Sequence, residues 1–270
     1  MQAAGKVVVV TGAGNGMGRE VTLELLRRGA KAVAAVDVKQ DFLDETVALA
    51  GEQGSKISTH VLDITDRAQV AALPAAVKAA HGQVDGLINV AGIIHPFKPI
   101  AELDFEVIER VFGVNFTGTL NMIKAFLPEL IARPEAQITN ISSMGSYVPV
   151  PGQTAYGASK GAINLLTDGL RSELAETSVG VNKVFPGAIG TNIANNSKAF
   201  TEEQMKAMAA KAAKAKTLAP AAAGAIIVDA FESNVFQAFA GSDAKFMYRL
   251  SRWAPVKAAN LIRKNMAGLL

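Results

Sequence analysis

The feature that most constrains the fold is a run of valines that ends in a glycine-rich loop. Residues 6–10 read KVVVV, residues 11–18 read TGAGNGMG, and apolar residues then recur at helical spacing as far as Leu26. A short strand without polar residues is typical of a parallel strand buried on both faces. Because Gly29 follows the periodic segment, we expect the first helix to end there.

The same alternation of apolar runs and helical segments continues along the chain. Strands are predicted at residues 6–10, 31–37, 58–63, 84–92, 137–142, 180–187 and 235–241, with further helical stretches at 66–81, 104–131 and 155–176. Alternation of this kind implies right-handed crossovers between parallel strands. The predicted fold class is therefore α/β, a single doubly wound parallel sheet of about seven strands with helices on both faces.

We expect residues 1–270 to form one domain. It would comprise a core at 5–241, an insertion at about 192–222 and a C-terminal helical tail at 242–270. The alanine- and lysine-rich residues 198–223 are expected to form a solvated helical insertion, with a mobile lid over the substrate as the alternative.

Composition excludes several classes of function. Half of the residues are hydrophobic and 19% are charged, which indicates a folded chain with a large core. The absence of cysteine excludes disulfides and thiolate metal sites, and three scattered histidines make a metal site unexpected. No stretch has the length of a signal peptide's apolar region or of a membrane span, so we expect a cytoplasmic protein. The net charge of +3 is too weak for a nucleic-acid surface.

The glycine-rich loop also predicts a dinucleotide site. Glycine lets a diphosphate approach more closely than any Cβ permits, and the N–H groups of the following helix attract phosphate. Asp37 ends the second predicted strand, where a carboxylate would accept hydrogen bonds from a ribose. A 2′-phosphate would be repelled there, so NAD is favoured over NADP. Lys39 or Arg19 could still pair with such a phosphate, which keeps NADP as the alternative.

Six motifs in order resemble the short-chain dehydrogenase/reductase family, from residue 6 to about residue 191. They are TGAGNGMG at 11–18, NVAG at 89–92, NFTG at 115–118, NISS at 140–143, YGASK at 156–160 and PGAIGT at 186–191. The resemblance implies a Rossmann fold, and hydride transfer between a nicotinamide dinucleotide and an alcohol or carbonyl group. It makes Asn115, Ser143, Tyr156 and Lys160 the catalytic residues. The implied cofactor contacts, besides Tyr156 and Lys160, are Gly12, Asn15, Gly16, Met17, Gly18, Asp37, Asp63, Ile64, Asn89, Gly92, Pro186, Gly187, Ile189 and Thr191.

Physical chemistry supports these catalytic roles. A phenol ordinarily has a pKa near 10, so Tyr156 needs a nearby cation to act as a general acid or base at neutral pH. Lys160, four residues later on the same helical face, is expected to lower that pKa and to hold the nicotinamide ribose. The Ser143 hydroxyl would hydrogen-bond the substrate oxygen, and Asn115 would bend a helix and anchor a water that relays the proton.

Each of these residues also has a purely structural interpretation. Tyr156 could be a core aromatic with Lys160 extended past it, Ser143 a helix cap and Asn115 a turn residue. A catalytically silent protein that senses the dinucleotide is accordingly the alternative to an enzyme.

The substrate is predicted to be hydrophobic. Candidate contacts are His95, Phe97, Met144, Val150 and Phe185, with Val148, Pro151 and Ile193 as further pocket walls. For His95, a surface or hydrogen-bonded loop position is the alternative.

The C-terminal sequence departs from the family resemblance. Many family members end in a glycine-rich turn used in tetramer packing, whereas here about 30 residues follow the last strand, so we expect a homodimer. Phe246, Met247, Leu250, Trp253 and Ala254 are predicted to share one helical face with Lys245, Arg249 and Arg252 around it, and Pro255 to separate a second helix. This pair of helices is expected to pack on its own or a neighbouring subunit. A lipid surface, or a long apolar substrate beneath the tail, is the alternative.

Overall fold

A computed structural model describes residues 1–191, 193, 197 and 217–266 of the protein. The strands are β1 Val7–Thr11, β2 Ala32–Asp37, β3 Ile57–Val61, β4 Gly86–Asn89, β5 Ala136–Ile141, β6 Val179–Pro186 and β7 Gln237–Ala240. The α-helices of this part are α1 Gly16–Arg27, α2 Gln40–Leu49, α3 Arg67–His81, α4 Phe105–Phe112, α5 Thr119–Ile131, α6 Thr154–Glu173, α7 Pro220–Ser233, α8 Ser242–Trp253 and α9 Pro255–Asn265.

The described strands form one parallel sheet in the order β3-β2-β1-β4-β5-β6-β7. The order reverses direction beside β1, where the crevice between β1 and β4 opens at the carboxyl ends of the strands. All five residues of β1 are buried, because helices cover both faces of the sheet. The predicted doubly wound α/β fold is confirmed.

Two loop and helix details agree with the sequence. The first helix ends at Arg27, and Gly29 follows it with a φ of +81°, a left-handed conformation that favours glycine. The predicted helical stretch 104–131 is two helices joined by a π-helical turn at Gly113–Gly118. Asn115 lies in this turn, in agreement with the expected bend.

The C-terminal helices α8 and α9 pack on the segment that follows β5. Met247 on α8 and Ile262 on α9 form a small apolar cluster with Val148. The single apolar face predicted for the tail is wrong, because Met247 is buried whereas Phe246 is 57% and Trp253 89% exposed. Most of the predicted insertion, residues 198–216, which carries the expected helix or lid, lies outside the described residues.

Candidate active site

The glycine-rich loop forms a tight cradle between β1 and α1. Gly12 has a φ of +66°, and a Cβ there would lie 2.9 Å from the Cα of Ala91. The Thr11 hydroxyl accepts hydrogen bonds from the backbone N–H groups of Val90 and Ala91, both at 3.1 Å. These bonds hold the loop after β4 against the cradle, so that only glycine fits at position 12.

A cavity of about 500 Å³ opens above this cradle. Ten of the predicted cofactor contacts line it: Gly12, Asn15, Gly16, Met17, Gly18, Asp37, Asp63, Ile64, Gly92 and Thr191. The cavity thus runs from the end of β2, across the N-terminus of α1, to the loop after β4. Its backbone cradle, helix N-terminus and terminal carboxylate fit a dinucleotide.

The carboxylate of Asp37 lies at the β2 end of the cavity. One of its oxygens accepts a hydrogen bond from the Gly14 backbone N–H at 3.0 Å, and the other accepts from the Lys39 N–H at 3.2 Å. Burial raises the pKa of Asp37, and these backbone hydrogen bonds act in the opposite direction. Asp37 is therefore a partly desolvated acceptor in the cavity wall.

The two cations that could neutralise a 2′-phosphate differ in availability. Arg19 is paired with Glu45 at 2.6 Å and also donates to the Gly14 carbonyl oxygen. The Nζ of Lys39, by contrast, lies 4.3 Å from the ring centre of Phe42, and both residues line the cavity. Lys39 is consequently the cation better placed to meet a second phosphate.

Ser143 and Tyr156 come together where a short helical turn crosses α6. Ser143 begins the 3₁₀ turn Met144–Ser146, and its Oγ accepts from the Gly145 N–H at 3.1 Å. A Cβ on Gly145 would lie 3.5 Å from that Oγ and 3.7 Å from the Cε1 of Tyr156. Ser143 thus caps a helical turn, as its structural interpretation predicts, and also faces the tyrosine.

Lys160 and Asn115 converge on Gly92 at the other end of the site. A Cβ on Gly92 would lie 3.1 Å from the Lys160 Nζ and 3.2 Å from the Asn115 Oδ1. The Asn115 amide donates to the Ile93 carbonyl oxygen at 3.0 Å, and its Oδ1 accepts from the Ile93 N–H at 2.8 Å. Since Gly92 and Ile93 line the cavity, these two side chains support its wall from behind.

Burial dominates the titration of both Tyr156 and Lys160. Burial raises the pKa of Tyr156, and only the Ser143 hydroxyl acts to lower it. Lys160 is 4% exposed, donates to the Ile141 carbonyl oxygen at 3.0 Å, and has its pKa lowered to about 8 by burial. Desolvation dominates both groups in this structure, and the lowering of the Tyr156 pKa by Lys160 stays a prediction.

Several predicted cofactor residues lie outside the cavity wall. Asn89 is buried within the sheet, where its amide donates to the Asn140 Oδ1 at 2.9 Å. Pro186 ends β6, Gly187 packs on Asp243, and Ile189 pairs with Leu218. The side chain of Asn89 thus joins two strands, and the cofactor contacts of these four residues stay predictions.

The predicted substrate contacts are also only partly brought together. Phe185 is fully buried in an aromatic cluster with Tyr147, Phe239 and Tyr248, so its prediction as a pocket wall is wrong. Val148 is buried beneath the C-terminal helices, in the small apolar cluster with Met247 and Ile262. Met144 and Val150 pack against that apolar cluster.

His95 and Phe97 lie in the loop after β4. The His95 Nδ1 contacts the Pro96 carbonyl oxygen at 2.7 Å, and the backbone carbonyl of His95 accepts from Gln153. His95 is fully buried, so a surface position is wrong, whereas the alternative of a hydrogen-bonded loop position agrees with the contact to Pro96.

Two residues near the site were missed by the sequence reasoning. Asp243, in the first turn of α8, accepts a hydrogen bond at 2.8 Å from the N–H of Ala188, within the PGAIGT segment. Tyr147 donates its hydroxyl to the Ala244 carbonyl oxygen at 2.7 Å. The start of α8 therefore holds both the loop after β6 and the segment that carries Ser143. The position of Asp243 after the last predicted strand carried no signal of either contact.

Fold and site together define a dinucleotide-binding α/β protein. A lysine lies behind the cavity wall, and a serine faces a tyrosine four residues before that lysine on the same helix. The model of the short-chain dehydrogenase family matches residues 6–215, and the chain belongs to that family. It is thus an oxidoreductase of the short-chain dehydrogenase/reductase class that uses NAD or NADP.

The relatives agree with this assignment. SadH of Mycobacterium tuberculosis, which is named an oxidoreductase, is 38% identical over 92% of this chain and 90% of its own length. A 3-oxoacyl-[acyl-carrier-protein] reductase of Thermotoga maritima, FabG, is 34% identical over 71% of this chain and 77% of its own. A short-chain dehydrogenase from Burkholderia cenocepacia in complex with NADP covers 99% of both chains, with 28% identity and a TM-score of 0.80.

Proposed function

We propose that the chain is an NAD-dependent dehydrogenase or reductase that interconverts a hydrophobic secondary alcohol and its ketone. The observation that carries this proposal is the placement of Ser143 against Tyr156, with Lys160 and Asn115 meeting at the wall of the cavity. A protein that only sensed a dinucleotide would have no need of this arrangement.

The cradle at Gly12–Gly18 would hold the diphosphate and Asp37 the adenosine ribose. When bound, the nicotinamide ring supplies the hydride acceptor or donor. Tyr156 gives its phenolic proton to the substrate oxygen during reduction and takes it back during oxidation. Ser143 Oγ hydrogen-bonds the same oxygen and stabilises its developing charge.

Lys160 would act through its positive charge once a dinucleotide is bound. Its pKa of about 8 keeps it largely protonated at neutral pH, although burial disfavours that state. A ribose hydroxyl beside its Nζ would add an acceptor to the one that Ile141 provides. The ammonium would then stabilise a Tyr156 phenolate, which burial alone opposes. Asn115 holds the Ile93 backbone and keeps the π-helical turn at the rear of the site.

The test of catalysis is Tyr156→Phe with Tyr248→Phe as the matched control. Both changes remove one hydroxyl, but Tyr248 lies in the aromatic cluster beside Phe239. With secondary alcohols and NAD, followed by NADH absorbance, we expect Tyr156→Phe to lose at least about 10²-fold in kcat. NADH binding, measured by fluorescence, should persist. Turnover of Tyr156→Phe within tenfold of wild type would refute the assigned role.

NAD is proposed as the preferred cofactor because Asp37 lies at the ribose end of the cavity. Asp37→Asn keeps an acceptor for the Gly14 N–H but removes the negative charge. We expect the ratio of kcat/KM for NAD over NADP to fall at least about tenfold in this variant. The alternative, an NADPH-dependent carbonyl reductase, rests on Lys39 at the cavity rim. An unchanged ratio in Asp37→Asn, with loss of NADP activity in Lys39→Ala, would favour that alternative.

Substrate class and assembly complete the proposal. Apolar residues such as Ile93 and Val114 line the cavity beyond the loop, which supports a hydrophobic substrate. The likeness to FabG makes a 3-oxoacyl chain one compound class for the substrate screen.

A homodimer is supported by Phe105, 78% exposed at the start of α4, and Leu165, 73% exposed on α6. The absence of cysteine supports action in the cytoplasm.

A further inference from the structure

The outer face of the C-terminal helices carries aromatic and cationic side chains without acidic partners. On α8, the exposed residues after Asp243 are Lys245, Phe246, Arg249, Arg252 and Trp253. Phe246 and Trp253 are seven residues apart, close to two helical turns, so they lie along one line of the helix. At the turn into α9, Val256 is 72% exposed beside Lys257. We call this surface, residues 245–257, the tail face.

The tail face stays exposed because the opposite side of α8 and α9 is packed against the rest of the protein. Ala244 and Met247 of α8 and Ala258 and Ile262 of α9 are buried. Met247 and Ile262 contact Val148, which anchors the helix pair to the core. Phe246 and Trp253 therefore cannot turn inward unless this cluster comes apart, and their exposure is a fixed property of the fold.

The charge of this region is almost entirely of one sign. Residues 242–266 contain six cations, which are Lys245, Arg249, Arg252, Lys257, Arg263 and Lys264, and one acid, Asp243. The carboxylate of Asp243 is turned to the backbone N–H of Ala188. The exposed cations consequently have no carboxylate of their own helices near them, and the surface is complementary to an anionic partner.

We propose that the tail face docks on an anionic membrane surface. Exposed aromatic and aliphatic side chains on α8 and at the turn into α9, with lysine and arginine beside them, match the interface between lipid headgroups and acyl chains. The arginines and lysines bind anionic headgroups, while Trp253, Phe246 and Val256 enter the boundary region. A second copy of the chain would bring like charges together if it used the same face. The proposal concerns partner binding and does not depend on the proposed reaction.

The protein carries its own probe of this docking. Trp253 is the single tryptophan of the sequence, so emission excited at a wavelength that tyrosine does not absorb reports on the tail face alone. The full chain is mixed with vesicles of phosphatidylcholine containing 30% phosphatidylglycerol, and with vesicles of phosphatidylcholine alone. We expect co-sedimentation, a blue shift of the emission, and quenching by brominated acyl chains with the anionic vesicles. Binding to the neutral vesicles should be at least tenfold weaker.

Two double charge-reversal variants distinguish binding through the tail face from binding through the net charge of the protein. Arg249→Glu with Arg252→Glu should lower binding more than tenfold, since each lost cation weakens binding about fivefold. Lys56→Glu with Arg67→Glu makes the same change in net charge near β3, at the sheet edge opposite β7, and should bind better than the tail variant. Both positions are exposed, and circular dichroism checks folding.

Several results would overturn the proposal. They are no binding to anionic vesicles, equal binding to neutral ones, equal losses in the two double variants, or binding without a change in Trp253 emission. Capture by immobilised poly-glutamate without vesicle binding would also overturn it, and would instead indicate an acidic protein partner.

Discussion

Replacing Lys160 by methionine should stabilise the nucleotide-free protein while abolishing its activity. Burial lowers the pKa of Lys160 from 10.5 to about 8. At about 1.4 kcal/mol per pH unit, keeping the ammonium charged near neutral pH costs the folded state about 3 kcal/mol. Methionine has a similar length and no charge, but it leaves the Ile141 carbonyl without its 3.0 Å hydrogen bond, a loss of about 1–2 kcal/mol. The expected net gain in the free energy of unfolding is about 1–2 kcal/mol at pH 7.

The stability difference between Lys160→Met and the wild type should depend on pH. Between pH 8 and 10.5 the unfolded chain binds more protons at Lys160 than the folded chain does, so the stability of the wild type rises with pH in this window. By pH 10 most of the desolvation cost is gone. The lost hydrogen bond is then the main difference in the free energy of unfolding between Lys160→Met and the wild type. Lys160→Met should then be no more stable than the wild type.

The assay is urea unfolding of both proteins without nucleotide at pH 7 and pH 10. Comparing the two proteins at each pH removes the contribution of every other titrating group. If the variant is less stable at pH 7, or if its advantage persists unchanged at pH 10, the buried ammonium is not the costly group described above.

Three further changes test other parts of the structure. Gly12→Ala should weaken NADH binding at least about tenfold and destabilise the fold by about 1–3 kcal/mol, because position 12 is left-handed and crowded. Gly169→Ala, in the open middle of α6, should do neither, as fluorescence titration and thermal unfolding will show. Tyr147→Phe removes the hydrogen bond from the hydroxyl to the Ala244 carbonyl and should cost about 0.5–1.5 kcal/mol in urea unfolding. Leu165→Glu should shift a dimer to monomer in sedimentation equilibrium, and a dimer that persists would place the interface elsewhere.

The strand pattern could be predicted from sequence because buried parallel strands read as continuous apolar runs. All seven predicted strands have counterparts, and β1 shows why, since Val7–Val10 are fully buried. Helices α2 and α7 were not predicted. Helix α2 has only two buried residues, Leu43 and Thr46, and α7 is apolar on most sides, so neither has a clear two-sided pattern.

The site could be predicted less completely, for a reason that Phe185 illustrates. An aromatic residue before a cofactor motif looks like a pocket wall, but the approach of Tyr147 and Tyr248 makes it part of the core. Asn89 is similar, because its partner Asn140 lies 51 residues away. Local spacing predicts which residues lie on one helix or loop, whereas packing between distant segments decides what each side chain faces.

The C-terminal helices cannot be treated as a detachable module. The carboxylate of Asp243 pins the Ala188 backbone, and the next residue, Ala244, accepts the Tyr147 hydroxyl. Deleting the tail would leave both donors without partners and uncover Val148, which lies two residues after the Met144–Ser146 turn that Ser143 caps. Loss of activity in a truncated chain would therefore follow from displaced loops even if the tail never met a membrane. Reversal of Arg249 and Arg252, which are exposed and take part in neither hydrogen bond, is the perturbation that separates docking from support of the active site.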